Sequence, residues 1–229
     1  MPSPRGCSLG YDLTVQQLIP GYASLARLSV ALLAASPLGS SSGAPVLVAG
    51  CGTGAELVEA QAQRPDWQLW AIDPSNEMLQ AAKARLGERS SSIHWQQTTV
   101  EALDADSRFC GALSVLVLQS LPDDGSKLAF LTALARSLEP GGQLVLVDLM
   151  APERSPLQSQ VQAAWLGFQR ASGLRGLDTD GADLEPLTQG LHPIGEARLT
   201  ALVNAAGFGD PARVFQALGY EGFLLQRRR

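Results

Sequence analysis

The run Val46-Leu47-Val48-Ala49-Gly50-Cys51-Gly52-Thr53-Gly54, followed by Asp73, constrains this chain more than any other stretch. An apolar run feeds a glycine-rich turn, a helix-forming stretch follows, and a second apolar run over residues 69–72 ends on an acid. That order reads as a βαβ unit built to bind a nucleotide. Lacking Cβ atoms, Gly50, Gly52 and Gly54 let the backbone turn tightly and let a ligand lie against it. A helix opening near Ala55 aims its free N–H groups at any anion in the turn. Asp73, at the carboxyl end of the second strand, is placed to accept hydrogen bonds from two ribose hydroxyls. Glycine turns end many strands, so the turn alone is weak. The strand before it, the helix after it and Asp73-Pro74 at this distance together specify an adenosine-type cofactor. Two other readings share the turn: Gly50-x-Gly52-x-x-Ala55 also fits the looser fingerprint of an NAD(P)-dependent reductase, and a cofactor-binding protein need not be catalytic. For Asp73 itself the alternative is capping of the helix that begins near Ser75.

The rest of the chain continues the alternation. Helices are expected over residues 22–35, 55–63, 75–86 and 123–138, with Ser75 as an N-cap and Gly87 just past an end. Strands are expected over residues 45–49, 68–73, 93–97, 111–118 and 143–148, with Pro140-Gly141-Gly142 turning into the last of these. Their apolar runs are those of strands buried on both faces of a parallel sheet. The pattern then breaks into a helix over 156–171 and a glycine- and acid-rich stretch over 172–193. A helix over 196–206 follows, then two strands, 212–217 and 220–225, joined only by Leu218-Gly219. Parallel strands cannot be joined so tightly, so this pair is expected as an antiparallel hairpin. Residues 1–10 carry no periodicity and are expected to be loosely packed.

At 229 residues, 45% of them hydrophobic, the chain can bury one large core. The apolar stretch 23–35 carries Arg27 and follows Tyr11 and Asp12 rather than a basic segment, so it reads as a buried amphipathic helix, and the protein as cytoplasmic with no membrane partner. Cys7, Cys51 and Cys110 give neither an even framework nor a CxxC pair, so no disulfide scaffold and no metal is expected. Cys51 reads as a compact spacer in the turn. The net charge of −5 argues against a large nucleic-acid footprint, and Arg227-Arg228-Arg229 reads as a solvated tail.

Residues 46–54, 70–79, 115–124 and 138–148, with the hairpin after Ala206-Gly207-Phe208, resemble the successive motifs of class I S-adenosylmethionine-dependent methyltransferases. The resemblance implies a doubly wound, Rossmann-like α/β sheet of seven strands, mostly parallel with a C-terminal antiparallel hairpin. Residues 18–22, 118–121 and 168–171 are further similar to the carboxy-S-adenosylmethionine synthase branch, which acts in tRNA wobble-uridine modification. The implied organisation is an N-terminal helical extension over 1–43 covering the cofactor site and a methyltransferase domain over 44–229. Within that domain, 150–193 is a helical substrate cover. The implied cofactor is S-adenosylmethionine, and the acceptor is a small molecule or a tRNA-pathway substrate. No metal is implied, and a homodimer stays open.

Carried over by position, Gly50, Cys51, Gly52 and Gly54 wall the methionine part of the cofactor. Asp73 holds the ribose, and Pro74 and Met78 lie against the adenine. Thr99, Val100 and Glu101 stand at its edge, Leu118, Gln119 and Ser120 border the transferable methyl, and Tyr22 covers the site. Candidates for catalysis are His192, Tyr22 and Arg170; Arg170 and Arg175 could equally meet an anionic substrate. Trp165 is a candidate substrate-binding aromatic, whereas Trp67, Trp70 and Trp95 read as core and His94 as a surface or packing residue. This sequence departs from the family at Val48, where many relatives carry an acid, leaving Glu56 or another residue to meet the cofactor's ammonium, and at Thr99, also often an acid. The branch's carboxylate-binding arginine is expected between the inserted helix and the helix before Gly207. Residues 176–197 hold no lysine or arginine there, but Asp178, Asp180, Asp183, Glu185 and Glu196. The expectation is ordinary, not carboxylated, cofactor, unless Arg170, Arg175 or Arg198 substitutes.

Overall fold

The chain's computed structural model describes residues 8–104, 106–152, 155–173 and 189–229. β1 (Pro45–Ala49) is an interior strand of a seven-stranded sheet, beside the central strand β4. The other strands are β2 (Gln68–Ile72), β3 (His94–Gln96), β4 (Phe109–Val115), β5 (Leu138–Leu149), β6 (Ala212–Ala217) and β7 (Tyr220–Gln226). Their order is β3-β2-β1-β4-β5-β7-β6. β1 through β5 pair in parallel, while β7 runs antiparallel to both β5 and β6. The strand order reverses between β1 and β4, and a crevice opens at such a switch point.

Alternate residues of β1 explain the unbroken apolar run. Leu47 and Ala49 enter a core shared with α5 (Ser126–Ser137) and α7 (Glu196–Ala206), while Val46 and Val48 enter one shared with α2 (Tyr22–Ala34), α3 (Ala55–Gln63) and α4 (Asn76–Leu86). A strand buried on both faces has no polar side to alternate with. A third, smaller apolar cluster joins α1 (Ser8–Leu18) and α6 (Gln158–Ala171) to the carboxyl ends of β4 and β5.

Several sequence expectations shift. Residues 8–10 belong to α1, which the sequence did not announce because its apolar residues keep no clean stripe; Leu13 stands 61% exposed while Val15 is buried. β4 begins at Phe109 and ends at Val115, short of Leu118, because Leu116 takes the left-handed region with φ 61° and the chain then coils through a 3-10 turn at Leu118–Ser120. α5 begins three residues later than expected, at Ser126, behind Gly125 with φ 111°. α6 begins at Gln158. β5 begins at Leu138, and residues 139–142, with Gly141 at φ 84°, form the irregularity in its register with β4. The terminal arginines are not a loose tail. Arg227 exchanges backbone hydrogen bonds with Gly141 and Gly142 and donates from its guanidinium to the Leu138 carbonyl, and Arg228 bonds Asn204. Residues 1–7, and most of the acidic stretch 172–193, lie outside the described residues.

Candidate cofactor and acceptor site

The three glycines of the turn have three different tasks. All sit at positive φ, 71° at Gly50, 49° at Gly52 and 83° at Gly54. A Cβ on Gly50 would meet Val117 Cγ2 at 2.5 Å, and one on Gly54 would meet Ala82 Cβ at 3.1 Å. Those two glycines serve packing, of the turn on the segment after β4 and of α3 on α4. A Cβ on Gly52 would meet nothing within 4 Å. The open space against the backbone is therefore at Gly52, between β1 and the end of β2.

Asp73 closes that space from below. It is 8% exposed; Oδ2 accepts from the Gly52 N–H at 3.0 Å and Oδ1 from the Ser75 N–H at 2.8 Å. The helix-capping alternative is half right: Asp73 fixes the turn before α4, but the cap itself is Ser75, whose hydroxyl accepts from the Met78 N–H at 3.3 Å. Each carboxylate oxygen retains a second lone pair for a hydroxyl. Met78 is buried beneath the site and Pro74 exposed beside it. Val100 turns its side chain into the core, which leaves Thr99 and Glu101 exposed at the rim.

From the other side the turn is latched by α1. Asp12 accepts from the Thr53 hydroxyl at 2.6 Å and pairs with Arg85 of α4 at 2.6 Å. Tyr22, at the start of α2, sits where the second and third apolar clusters meet, and burial pushes its hydroxyl well above the usual range. Burial likewise raises the Cys51 thiol, so it is no nucleophile. Glu56, 6% exposed in the first turn of α3, has its carboxyl pushed up to about 7, chiefly by burial.

On the acceptor side the residues expected beside the methyl group make contacts within the protein. Leu118 packs into the core, and the Gln119 amide is engaged, its Oε1 accepting from the Leu149 N–H at 2.7 Å. The Leu118 side chain and the Gln119 Oε1 are thus engaged within the protein. Both residues belong to a buried polar clamp: Asp148 Oδ1 accepts from the Gln119 N–H at 3.0 Å, and Lys127 Nζ donates to the Leu118 carbonyl at 2.6 Å. Burial raises the Asp148 carboxyl to about 7 and lowers the Lys127 ammonium. Asp148 Oδ2 has no hydrogen-bond partner among the described residues. Sequence reasoning missed Asp148, although the signal was present: it follows the apolar run of residues 144–147, as Asp73 follows β2.

His192 bonds the turn through its backbone, its N–H donating to the Gln119 carbonyl at 2.7 Å, while its side chain is exposed. Arg170 is also exposed, on the face of α6 opposite Trp165 and Gln169. Neither is placed as a buried general base. Arg198 makes a two-pronged pair with Asp123 at 2.9 Å. Arg175 lies outside the described residues. Trp165 does face inward: 7% exposed, it donates to the Leu18 carbonyl at 2.8 Å and meets Tyr220 edge-on at 5.6 Å, which pins α6 to α1 and to β7. Trp67 is core, Trp70 and Trp95 are half-buried against it, and His94 stacks on Trp70 at 4.6 Å, as expected.

These groups suit a zwitterionic nucleoside. Open space at Gly52, a buried acid with lone pairs left at Asp73 and a second buried acid at Glu56 match an adenosine that carries an amino-acid end. Among the described residues no cluster of His, Cys, Asp and Glu could hold a metal ion, and no single helix is long and apolar enough to cross a membrane.

Comparison with known proteins agrees. A methyltransferase-domain family model matches residues 46–142. Demethylmenaquinone methyltransferase of Tropheryma whipplei is 34% identical over 191 residues, covering 83% of this chain and 76% of that protein. Carboxy-S-adenosyl-L-methionine synthase of Campylobacter hominis is 21% identical over 217 residues, 95% of this chain and 90% of the other. Among solved structures, magnesium protoporphyrin IX methyltransferase of Synechocystis with bound S-adenosylmethionine superposes at a TM-score of 0.62 with 18% identity, covering 96% and 91% of the two chains. At that identity the superposition speaks for the fold.

Proposed function

The chain belongs to the class I S-adenosylmethionine-dependent methyltransferases, and from that premise we propose that it methylates a small, largely apolar acceptor, using ordinary rather than carboxylated cofactor. The observation that carries the acceptor class is the apolar cluster at the carboxyl ends of β4 and β5, where Leu116, Leu149, Trp165 and Tyr220 meet beneath α1 and α6. A polyanion such as tRNA would need cations there, and Arg170 points away while Arg198 is committed to Asp123. The Tropheryma whipplei relative bears the name of an enzyme acting on demethylmenaquinone, in keeping with this class.

The bound cofactor supplies a methyl already activated on a sulfonium, so the protein's work is alignment and exclusion of water. In this reading Gly52 admits the ligand to the backbone, Asp73 holds the ribose, and Pro74, Met78, Thr99, Val100 and Glu101 frame the adenine. Of the N-terminal segment 1–43, the described residues 8–43, Tyr22 among them, cover the cofactor in this reading. Of the segment 150–193, α6 covers the acceptor, the rest of it lying largely outside the described residues. The Asp148–Lys127 clamp holds the turn at residues 118–120 in one position, so that the acceptor meets a fixed wall. The protein acts in the cytoplasm.

Purified protein incubated with methyl-labelled cofactor and two acceptor panels, apolar hydroxylated ring compounds and bulk tRNA, tests the proposal. Label is expected in the first panel, and the ligand released from the protein should have the mass of the uncarboxylated cofactor or its demethylated product. Label in tRNA alone, or recovery of the carboxylated form, would refute it.

A further inference from the structure

Two buried ionisable groups stand under the turn that follows β4: Asp148 near the end of β5 and Lys127 in the first turn of α5, 3% and 1% exposed. The turn they meet is strained. Leu116 leaves β4 at φ 61°, a conformation that a leucine seldom adopts and keeps only where its surroundings fix it. The turn also touches both halves of the proposed site. Val117 packs against Gly50 of the glycine turn, and the Gln119 carbonyl accepts from the His192 N–H at 2.7 Å. From below, Lys127 Nζ holds the Leu118 carbonyl, Asp148 Oδ1 holds the Gln119 N–H, and the Leu149 N–H holds Gln119 Oε1. Asp148 Oδ2 has no hydrogen-bond partner among the described residues, so it is the oxygen open to a proton. The other charges around the clamp are matched. Glu221, opposite Asp148 on β7, pairs with Arg213, which Glu196 of α7 also holds, and Asp123, before α5, pairs with Arg198. Tyr220 of β7 is pushed upward by burial and stays neutral. A hydrogen bond to a carboxylate is about twice as strong as one to a neutral acceptor, so the charge on Asp148 decides how firmly Gln119 is held.

We propose that Asp148 is a pH-dependent positioning residue for methyl transfer: ionised, it draws the turn at residues 118–120 onto β5 together with Lys127, and the acceptor cover follows through His192. This rests on the reading that the turn borders the acceptor. Burial raises the Asp148 carboxyl to about 7, against the Gln119 hydrogen bond and the Lys127 charge, which lower it. Below that value the acid is neutral and Gln119 is held by a weaker bond. Above it the clamp is complete, so turnover should rise with pH. Stability should run the other way. The folded state favours the neutral acid, so the stability that Asp148 contributes is present in full below its unfolded value of about 4 and is lost as pH rises through 7. An acid with a structural role alone would move rate and stability together.

Backbone amide resonances of Gln119 and Leu149, followed by NMR, test the switch without any acceptor. They should shift with a common midpoint between about pH 6 and 8. The shift should vanish in Asp148→Asn, which copies the neutral acid, and survive in Glu56→Gln and His192→Asn. With an acceptor from the ring panel, kcat of the unmutated protein should climb through the same range. In Asp148→Asn it should be flat and, at pH 8, about tenfold or more lower. S-adenosylhomocysteine affinity should be unchanged there, and the urea midpoint no lower. Amides that do not shift, a shift that persists in Asp148→Asn, or a kcat that falls only in step with stability overturns the proposal. If the amides respond as expected while no ring compound is methylated, the switch in the turn stands and the acceptor reading fails.

Discussion

Around Gly50–Gly54 the proposed cofactor site is built largely of backbone, whereas the proposed acceptor cover above β4 and β5 is built of side chains brought from distant segments. The turn needs three positive φ angles, one space without a Cβ and one acid at the end of the next strand. All of these lie within about two dozen consecutive residues. The cap needs Val15 and Ile19 from α1, Trp165 from α6 and Tyr220 from β7, spread over most of the chain. The comparison teaches that the two halves of one site can differ in how they tolerate change: the first should fail in binding while the fold stands, the second in stability while cofactor binding stands.

Gly52→Val gives the largest separation. Its side chain would enter the only space left open at the turn, and a β-branched residue at φ 49° adds about 1–2 kcal/mol of backbone strain. Binding of S-adenosylhomocysteine should disappear, a loss of about 7–8 kcal/mol for a micromolar ligand, while circular dichroism shows the sheet formed. A variant that binds normally would make the turn a structural feature only.

Trp165→Ala tests the other half. It removes a buried ring that holds α6 to α1 and β7, so denaturant unfolding should show a loss of about 3–5 kcal/mol. Affinity for S-adenosylhomocysteine should change less than about threefold, since the ring packs in the apolar cluster and not on the glycine turn. Affinity falling in step with stability would show that the two regions are one cooperative unit rather than two that fail separately.

The same contrast explains what could be read in the sequence. β1, α3, β2 and α7 stand where periodicity and punctuation place them, because glycine, proline and Ser75 act locally on the backbone. The antiparallel hairpin follows from a two-residue connection, which is chain geometry. The end of β4 is not legible in the sequence because the apolar run continues through Leu118 while Leu116 leaves the strand at positive φ, and nothing local marks a leucine for that conformation. Leu118 and Gln119 carry the right positions in the chain, but their side chains are claimed by the core and by β5, a decision made by tertiary packing. Helix α1 escaped notice for the same reason: it is held by Asp12, whose partners Thr53 and Arg85 lie 41 and 73 residues away. His192 and Arg170 carry catalytic chemistry in their side chains, yet the fold turns both to solvent.

The central claim is that the turn and Asp73 form an adenosine site for S-adenosylmethionine. Titration calorimetry of the unmutated protein and of Asp73→Ala with S-adenosylhomocysteine, with NADH alongside, tests it most directly. S-adenosylhomocysteine should bind and NADH should not, and Asp73→Ala should lose about 2–4 kcal/mol, from two charged hydrogen bonds less partial re-solvation. Unchanged affinity in a folded Asp73→Ala protein, or preferential binding of NADH, would contradict the account.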